Sequence, residues 1–191
     1  MSPVIRTSNG TSEITLRLLR LRDRKVWDEV RSANKDWLTP WEATRPQIEA
    51  DLPLPSFPQM VRMGARDAKD LRSLSLGIWV KDRGRERFVG QITLGGIVLG
   101  AYRGGYIGYW IDNRYANKGV VTHAVMALTE YAFQELSLHR IEINMRPENA
   151  ASQRVAEKAG YIYEGLRLRY LHIDGQWRDH MIFVKENPRI Q

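Results

Sequence analysis

The sequence predicts a single α/β domain of the α+β kind: a mixed, largely antiparallel seven-stranded sheet with helices on both faces. Three features carry that expectation. Two pairs of alternating apolar and polar stretches, 73–80 with 88–94 and 162–171 with 177–185, are joined by turn residues and read as hairpins. Segments of helical period separate other strand-like stretches, so those connections cross the faces of the sheet. At 191 residues the chain has room for one core and little more.

The first strand is 13–19, where Ile14, Leu16 and Leu18 face one way and Thr15 and Arg17 the other. Asp23 offers an N-cap to a short helix ending near Ala33, with Val26, Trp27 and Val30 as its apolar face. From 34 to 58 the sequence is irregular, with Pro40, Pro46, Pro53, Pro55 and Pro58. Long loops in small domains are functional or disordered as a rule. Trp37, Leu38, Pro40 and Trp41 argue against disorder and leave two uses open, the wall of a substrate pocket or simple packing. A helix over 57–71 follows, interrupted by Gly64. The next hairpin turns at Gly84, within KDRGRER. Gly95, Gly96, Gly100, Gly104 and Gly105 break the pattern before Tyr106, and the cluster at 104–108 reads as turn chemistry. Because 104–108 leads into a strand and opens no helix, it is not a dinucleotide fingerprint.

The chain is organised around 106–136, YIGYWIDNRYANKGVVTHAVMALTEYAFQEL. Tyr106, Ile107, Tyr109, Trp110 and Ile111 suit a strand, and 112–118 a polar loop. After Gly119, Val121, Val125, Leu128, Ala132 and Leu136 recur every three or four residues, the pattern of an amphipathic helix. Strand, small-residue loop and helix start in succession make an anion site, because unpaired N–H groups point outward where the helix dipole favours negative charge. Arg114 and Lys118 add two cations. An ordinary strand-to-helix turn with solvated charges accounts for these residues equally well. Further on, Ile141, Ile143 and Met145 alternate with Arg140, Glu142 and Asn144 along a strand over 139–145. Asn149 is placed to cap a helix over 150–159 that Gly160 ends, and the last hairpin turns at 174–176.

Composition narrows the function. With 43% apolar and 27% charged residues the chain is of ordinary globular type. No apolar run approaches the length of a membrane span, and the first ten residues lack the apolar core of a signal peptide. The absence of cysteine removes disulfides, cysteine–zinc sites and thiol nucleophiles, and fits a cytoplasmic setting. His123, His139, His172 and His180 have no ligand-like spacing, so no metal is expected. A net charge of +7 points to an anionic partner: nucleic acid, ribosome or a phosphorylated cofactor. The basic residues are spread along the chain and form no arm.

Five segments, taken in order, resemble one family: LTPWEATR (38–45), NKGVVTHA (117–124), MRPENAAS (145–152), AGYIYEG (159–165) and YLHIDGQWRDH (170–180). Over nearly the whole chain they are similar to the GCN5-related N-acetyltransferases (GNAT), and within these to the RimJ-type ribosomal-protein-alanine N-acetyltransferases. The resemblance implies the GNAT fold, acetyl-coenzyme A as acetyl donor and no metal. It also implies transfer to a primary amine, foremost the N-terminal α-amino group of a protein. The cofactor loop departs from the family pattern of Gln or Arg, two residues, Gly, one residue, then Gly or Ala. Those positions fall on Ala116, Gly119 and Val121, and only the glycine fits. Where RimJ-like sequences commonly carry a further glycine this chain has Asn117, which tolerates left-handed geometry.

By the resemblance, the backbone of Tyr109, Trp110 and Ile111 would pair with the pantetheine arm as a surrogate strand. Arg114 and the loop of Ala116, Asn117, Lys118, Gly119, Val120, Val121 and Thr122 would hold the pyrophosphate, with Asn149 and Ser152 beside the arm. Asn149 serves equally as a helix cap. Ser152 falls where RimJ and RimL relatives place the general acid for the departing thiolate; a plain first-turn helix serine is the alternative. Asn144 stands in the catalytic strand where some N-terminal acetyltransferases carry a glutamate base, so that base is absent. Glu42 is then the candidate base or binder of the acceptor's ammonium, unless it is a solvated loop carboxylate. Trp41, Glu42, Arg45 and Tyr106 complete the acceptor side. An α-amino group, with a pKa of about 7.7–8.0, needs only mild help to lose its proton.

The partner so implied is a protein N-terminus, a ribosomal protein among the candidates. Ribosome association is compatible with the charge, direct nucleic-acid or membrane binding is not expected, and a monomer or homodimer fits. Two other readings stand. One is an acetyltransferase for a small amine such as an aminoglycoside or polyamine, which would call for a carboxylate-rich pocket. The other is a ribosome- or RNA-binding protein whose acetyltransferase site has decayed.

Overall fold

The computed structural model describes residues 3–46, 53–82 and 84–190. The middle of the irregular stretch, 47–52, and Arg83 of the KDRGRER turn lie outside the described residues. The strands are β1 (Val4–Ser8), β2 (Glu13–Leu18), β3 (Leu74–Asp82), β4 (Arg85–Val98), β5 (Gly104–Ile111), β6 (Arg140–Met145), β7 (Ile162–Ile173) and β8 (Gln176–Glu186). They form one sheet in the order β1-β2-β3-β4-β5-β6-β8-β7. All neighbours are antiparallel except β5 and β6. The fold class is the one expected, with eight strands where seven were predicted. The additional strand is β1, paired along its length with β2. Its five residues, VIRTS, are only half-buried at best, so no apolar alternation marked it.

Among the described residues five α-helices flank the sheet: α1 (Arg24–Ala33), the single turn α2 (Lys35–Leu38), α3 (Phe57–Lys69), α4 (Val120–Gln134) and α5 (Ala150–Lys158). The predicted apolar stripe of α4 is the core: Val125, Leu128 and Ala132 are fully buried among Ile14, Leu16, Ile92, Ile107 and Ile141. Burying Val125 and Leu128 is worth about 1.5–3 kcal/mol each. On the opposite face, Val30 of α1 packs with Trp79 and Phe88, and Trp27 and Trp110 close against them. α3 begins with a capping box between Ser56 and Gln59 and carries Gly64 without breaking.

Two local expectations are corrected. Asp23 does not cap α1 with its side chain. It is buried, takes a bidentate bond from Arg17 at 2.8 and 3.1 Å, and accepts the Arg20 N–H at 2.8 Å. Those bonds outweigh the cost of burial and hold its carboxyl below the ordinary value of 3.8. Gly104 and Gly105 are also no turn; they open β5. The reason is the neighbouring strand β6, since a Cβ at Gly104 would stand 2.8 Å from the Arg140 carbonyl oxygen.

That parallel pairing of β5 with β6 is short, running only from Gly104–Tyr106 to Arg140–Glu142. Beyond Tyr106 the strands part, while β5 stays paired on its other side with β4 as far as Ile111. A parting between parallel strands leaves backbone donors and acceptors facing a gap. The gap is where the candidate site lies.

Candidate active site

A cavity of about 910 Å³ opens at this gap, within the range of small-molecule sites. The end of β5, the loop before α4, the starts of α4 and α5, and the segment after α2 all line it. Its residues fall into two ends.

At one end is the start of α4. Asn117 and Gly119 both take left-handed geometry, φ 58° and 73°, and so turn the chain sharply into the helix. Gly119 is the N-cap and has no side chain to offer, so no capping side-chain bond closes the start of α4 among the described residues. An uncapped helix start keeps its N–H groups available to an anion. Arg154 and Lys158, one turn apart on α5, line the same cavity. Arg114 and Lys118 do not. Arg114 is drawn onto Asp112 by bonds of 2.6 and 3.0 Å, and the Lys118 ammonium lies 5.4 Å from the Tyr115 ring. Both line a separate groove on the far side of the loop. Asp112 is buried; Arg114 outweighs that cost and holds its carboxyl below the usual value of 3.8.

Between the ends lies a hydroxyl pair. Asn149 caps α5, its Oδ1 accepting the Ser152 N–H at 3.0 Å. The Ser152 hydroxyl is 2.8 Å from that of Tyr109, whose side chain reaches from β5 to α5. Burial pushes the Tyr109 phenol well above the ordinary value of 10, so it stays protonated.

The other end is aromatic and carries carboxylates. Trp37 donates its indole N–H to the Ile111 carbonyl at 3.2 Å, and Trp37, Trp41, Glu42 and Glu148 face the cavity. Arg31 pairs with Glu42 at 2.5 Å and lies 5.0 Å from the Trp110 ring. Arg146 donates to the Pro40 carbonyl at 2.9 Å, lies 5.4 Å from the Trp41 ring and pairs with Glu148. The segment is also stitched to the last hairpin. Ala43 bridges Ile173, Thr44 N–H bonds the His172 carbonyl at 2.9 Å, and Gly175 N–H bonds Thr44 Oγ1 at 3.0 Å.

The cavity therefore brings together Tyr109, Trp110, Ile111, Ala116, Asn117, Gly119, Val120, Val121, Thr122, Asn149, Ser152, Trp41 and Glu42. It does not bring in Arg45, Tyr106 or Asn144, nor Arg114 and Lys118. Tyr106 turns its ring over Gly95 and Gly96, where only glycine leaves it room. Asn144 points to Glu142, its Nδ2 3.5 Å from Oε2. Glu142 in turn is buried and paired with Arg140 and Arg167. Trp37 and Leu38, read from sequence as a possible pocket wall, line the cavity too, whereas sequence reading missed Gln91, Thr93, Glu148, Arg154, Lys158 and the hydroxyl of Tyr109. Arg154 and Lys158 were within reach, because they share a helical face with Ala151 once Asn149 is taken as the cap. Among the described residues no cluster of three or more His, Asp or Glu side chains is placed to hold a metal ion. No helix among the described residues is long and apolar enough to cross a membrane.

Comparison with known proteins agrees with this geometry. Residues 13–162 match the family model described as the Acetyltransferase (GNAT) domain. The chain is 42% identical to the probable N-acetyltransferase YjcK of Bacillus subtilis over 103 residues, 54% of this chain and 57% of that protein. It is 28% identical to the ribosomal protein uS5-alanine N-acetyltransferase of Escherichia coli over 93% of this chain and 90% of that one. Among solved structures, RimJ of Mycobacterium smegmatis in complex with CoA-disulfide superposes with a TM-score of 0.85 at 31% identity. That superposition covers 99% of this chain and 88% of the other. Matched by the family model from β2 to the start of β7, the chain belongs to the GNAT family of acetyltransferases.

Proposed function

We propose that this chain transfers the acetyl group of acetyl-coenzyme A to the N-terminal α-amine of a protein, foremost a ribosomal protein of the alanine-terminated kind. The observation that carries the reading is one cavity lined by an uncapped helix start, two cations and an aromatic, carboxylate-bearing wall. The residues fit the donor. Amides at the start of α4 would hold the pyrophosphate, with Arg154 and Lys158 beside them, and the unpaired edge of β5 beyond Tyr106 would take the amide-bearing arm. When bound, the donor supplies a thioester carbonyl open to attack by a neutral amine.

The chain's own residues then have separate tasks. Glu42 and Glu148, each paired with an arginine, place negative charge where the acceptor's ammonium would enter. Trp37 and Trp41 give the rest of the acceptor an apolar wall that excludes water. N–H groups on the free edge of β5 are placed to steady developing charge on the carbonyl oxygen. Ser152 offers its hydroxyl proton to the departing sulfur. One N–C bond forms as one C–S bond breaks, and the proton lost by nitrogen balances the one gained by sulfur.

The name of the Escherichia coli relative supports a ribosomal acceptor. The small-amine reading finds less support, because it calls for a carboxylate-rich pocket and the cavity lining has two carboxylates, Glu42 and Glu148, beside the cations Arg154 and Lys158. Titration calorimetry with acetyl-coenzyme A, followed by a screen of N-terminal peptides against polyamines and aminoglycosides, tests the proposal. Saturable binding and acetylation of peptides is the expected result. No binding at millimolar donor, or acetylation of the small amines alone, would overturn it.

A further inference from the structure

We infer that Tyr109 is the positioning residue for Ser152: its phenol donates its one proton to the serine Oγ and so leaves the serine's own proton directed into the cavity. The inference rests on the acetyl transfer proposed above. The two hydroxyls are 2.8 Å apart, and the phenol oxygen is also 3.4 Å from the Ser152 carbonyl oxygen. No other partner of the Ser152 hydroxyl is present among the described residues, since the Asn149 side chain is engaged with the serine N–H.

A serine in the first turn of a helix ordinarily turns its hydroxyl back to nearby backbone. Here it is drawn across the gap between β5 and α5. Tyr109 can hold it because the tyrosine is itself fixed. Its backbone is in register with Ile92 of β4, and its ring packs against the main core. The direction of the bond follows from chemistry. A phenol is a stronger acid than an alkyl hydroxyl, so in a Tyr–Ser pair the phenol is the better donor, and its one O–H is then spent. Burial keeps that phenol protonated through the working pH range. As Oγ gives up proton density to a departing sulfur it gains negative charge, and the bond it accepts from Tyr109 strengthens. An interaction that is stronger at the transition state than before it raises kcat and leaves substrate binding nearly unchanged.

The test is a cycle of Tyr109→Phe, Ser152→Ala and the double variant. It is read by steady-state kinetics on one N-terminal peptide, calorimetric acetyl-coenzyme A binding and thermal melting. Phenylalanine keeps the ring in the core and removes only the oxygen. Y109F is expected to lower kcat by about five- to twentyfold, with the donor KM and calorimetric Kd within about twofold of wild type. In the S152A background the same change is expected to cost nothing further in kcat, and the melting temperatures of the cycle are expected to be non-additive. A purely structural tyrosine would cost the same factor in both backgrounds, and that result overturns the inference, as does wild-type kcat in Y109F. Should the phenylalanine variant not fold, 3,5-difluorotyrosine at 109 gives a second test, because its phenol ionises at lower pH. The alkaline limb of kcat is expected to move down in pH, and an unmoved limb overturns the inference. Absence of turnover by the wild-type protein overturns the proposed function and this inference together, whereas wild-type turnover with an indifferent Y109F overturns the inference alone.

Discussion

Asn149 has two functions assigned to it, and one pair of substitutions separates them. Its Oδ1 caps α5 by accepting the Ser152 N–H at 3.0 Å, while its Nδ2 has no hydrogen-bond partner among the described residues. Asn149→Asp keeps the acceptor and removes the donor; Asn149→Ala removes both. Loss of a capping side chain costs about 1 kcal/mol. For a chain of this size that corresponds to a melting temperature lower by about 2–4 °C. The alanine variant should show that drop, and the aspartate variant should melt within about 2 °C of wild type, since a carboxylate at a helix start is itself favourable. If Nδ2 donates to the arm of the donor, Asp also loses one hydrogen bond of about 1–1.5 kcal/mol, a five- to tenfold weaker acetyl-coenzyme A affinity. Scanning and titration calorimetry on the three proteins read both numbers. Equal melting losses for Asp and Ala would refute the capping argument, and wild-type donor affinity in both variants would refute the contact with the arm.

Gly119→Ala tests the loop: a Cβ there meets only ordinary contacts with His123 and Asn9, so the cost is the left-handed backbone, about 1–2 kcal/mol, or roughly 2–8 °C in melting temperature. Asn should recover part of that loss, as Asn117 already sits in left-handed geometry two residues earlier, and an Asn variant no better than Ala would contradict the argument. Glu42→Gln should raise the peptide KM severalfold at neutral pH while leaving calorimetric donor affinity unchanged; the reverse pattern would move Glu42 from the acceptor to the donor side. The Asp112 carboxyl is held below its ordinary value of 3.8 in the folded chain, so its stabilisation is complete above that pH and is lost as pH falls through the lowered value. Asp112→Asn should therefore melt lower at neutral pH and show a shallower decline in acid; parallel acid profiles would remove Asp112 from the account.

Much of this was legible in the chain because local pattern and final environment agree. The α4 stripe, the glycine before it and the Asn149 cap each follow from helical periodicity or end chemistry, which are properties of neighbouring residues. What sequence missed depends on neighbours far along the chain. The seating of Gly104 against Arg140, the burial of Asp23 with Arg17, and the Glu42–Arg31 pair are set by which strands and loops meet. The Tyr109–Ser152 bond joins residues 43 apart, so Tyr109 was expected to contribute only backbone and Ser152 only its own hydroxyl. Arg114 and Lys118 fit the expected anion site by proximity in sequence. The turn at Asp112 carries them to its other side, and Arg154 and Lys158 of α5 line the cavity in their place.

The reaction proposed for this chain delivers an acetyl group to a protein N-terminus. Its most direct test is mass spectrometry of synthetic peptides bearing the mature N-termini of ribosomal proteins, each with an internal lysine, after incubation with the protein and acetyl-coenzyme A. One added acetyl group is expected on the α-amine of a subset of peptides, alanine-terminated ones foremost, with the lysine untouched. Acetylation confined to lysine, or none on any peptide while a free polyamine is modified, would contradict it.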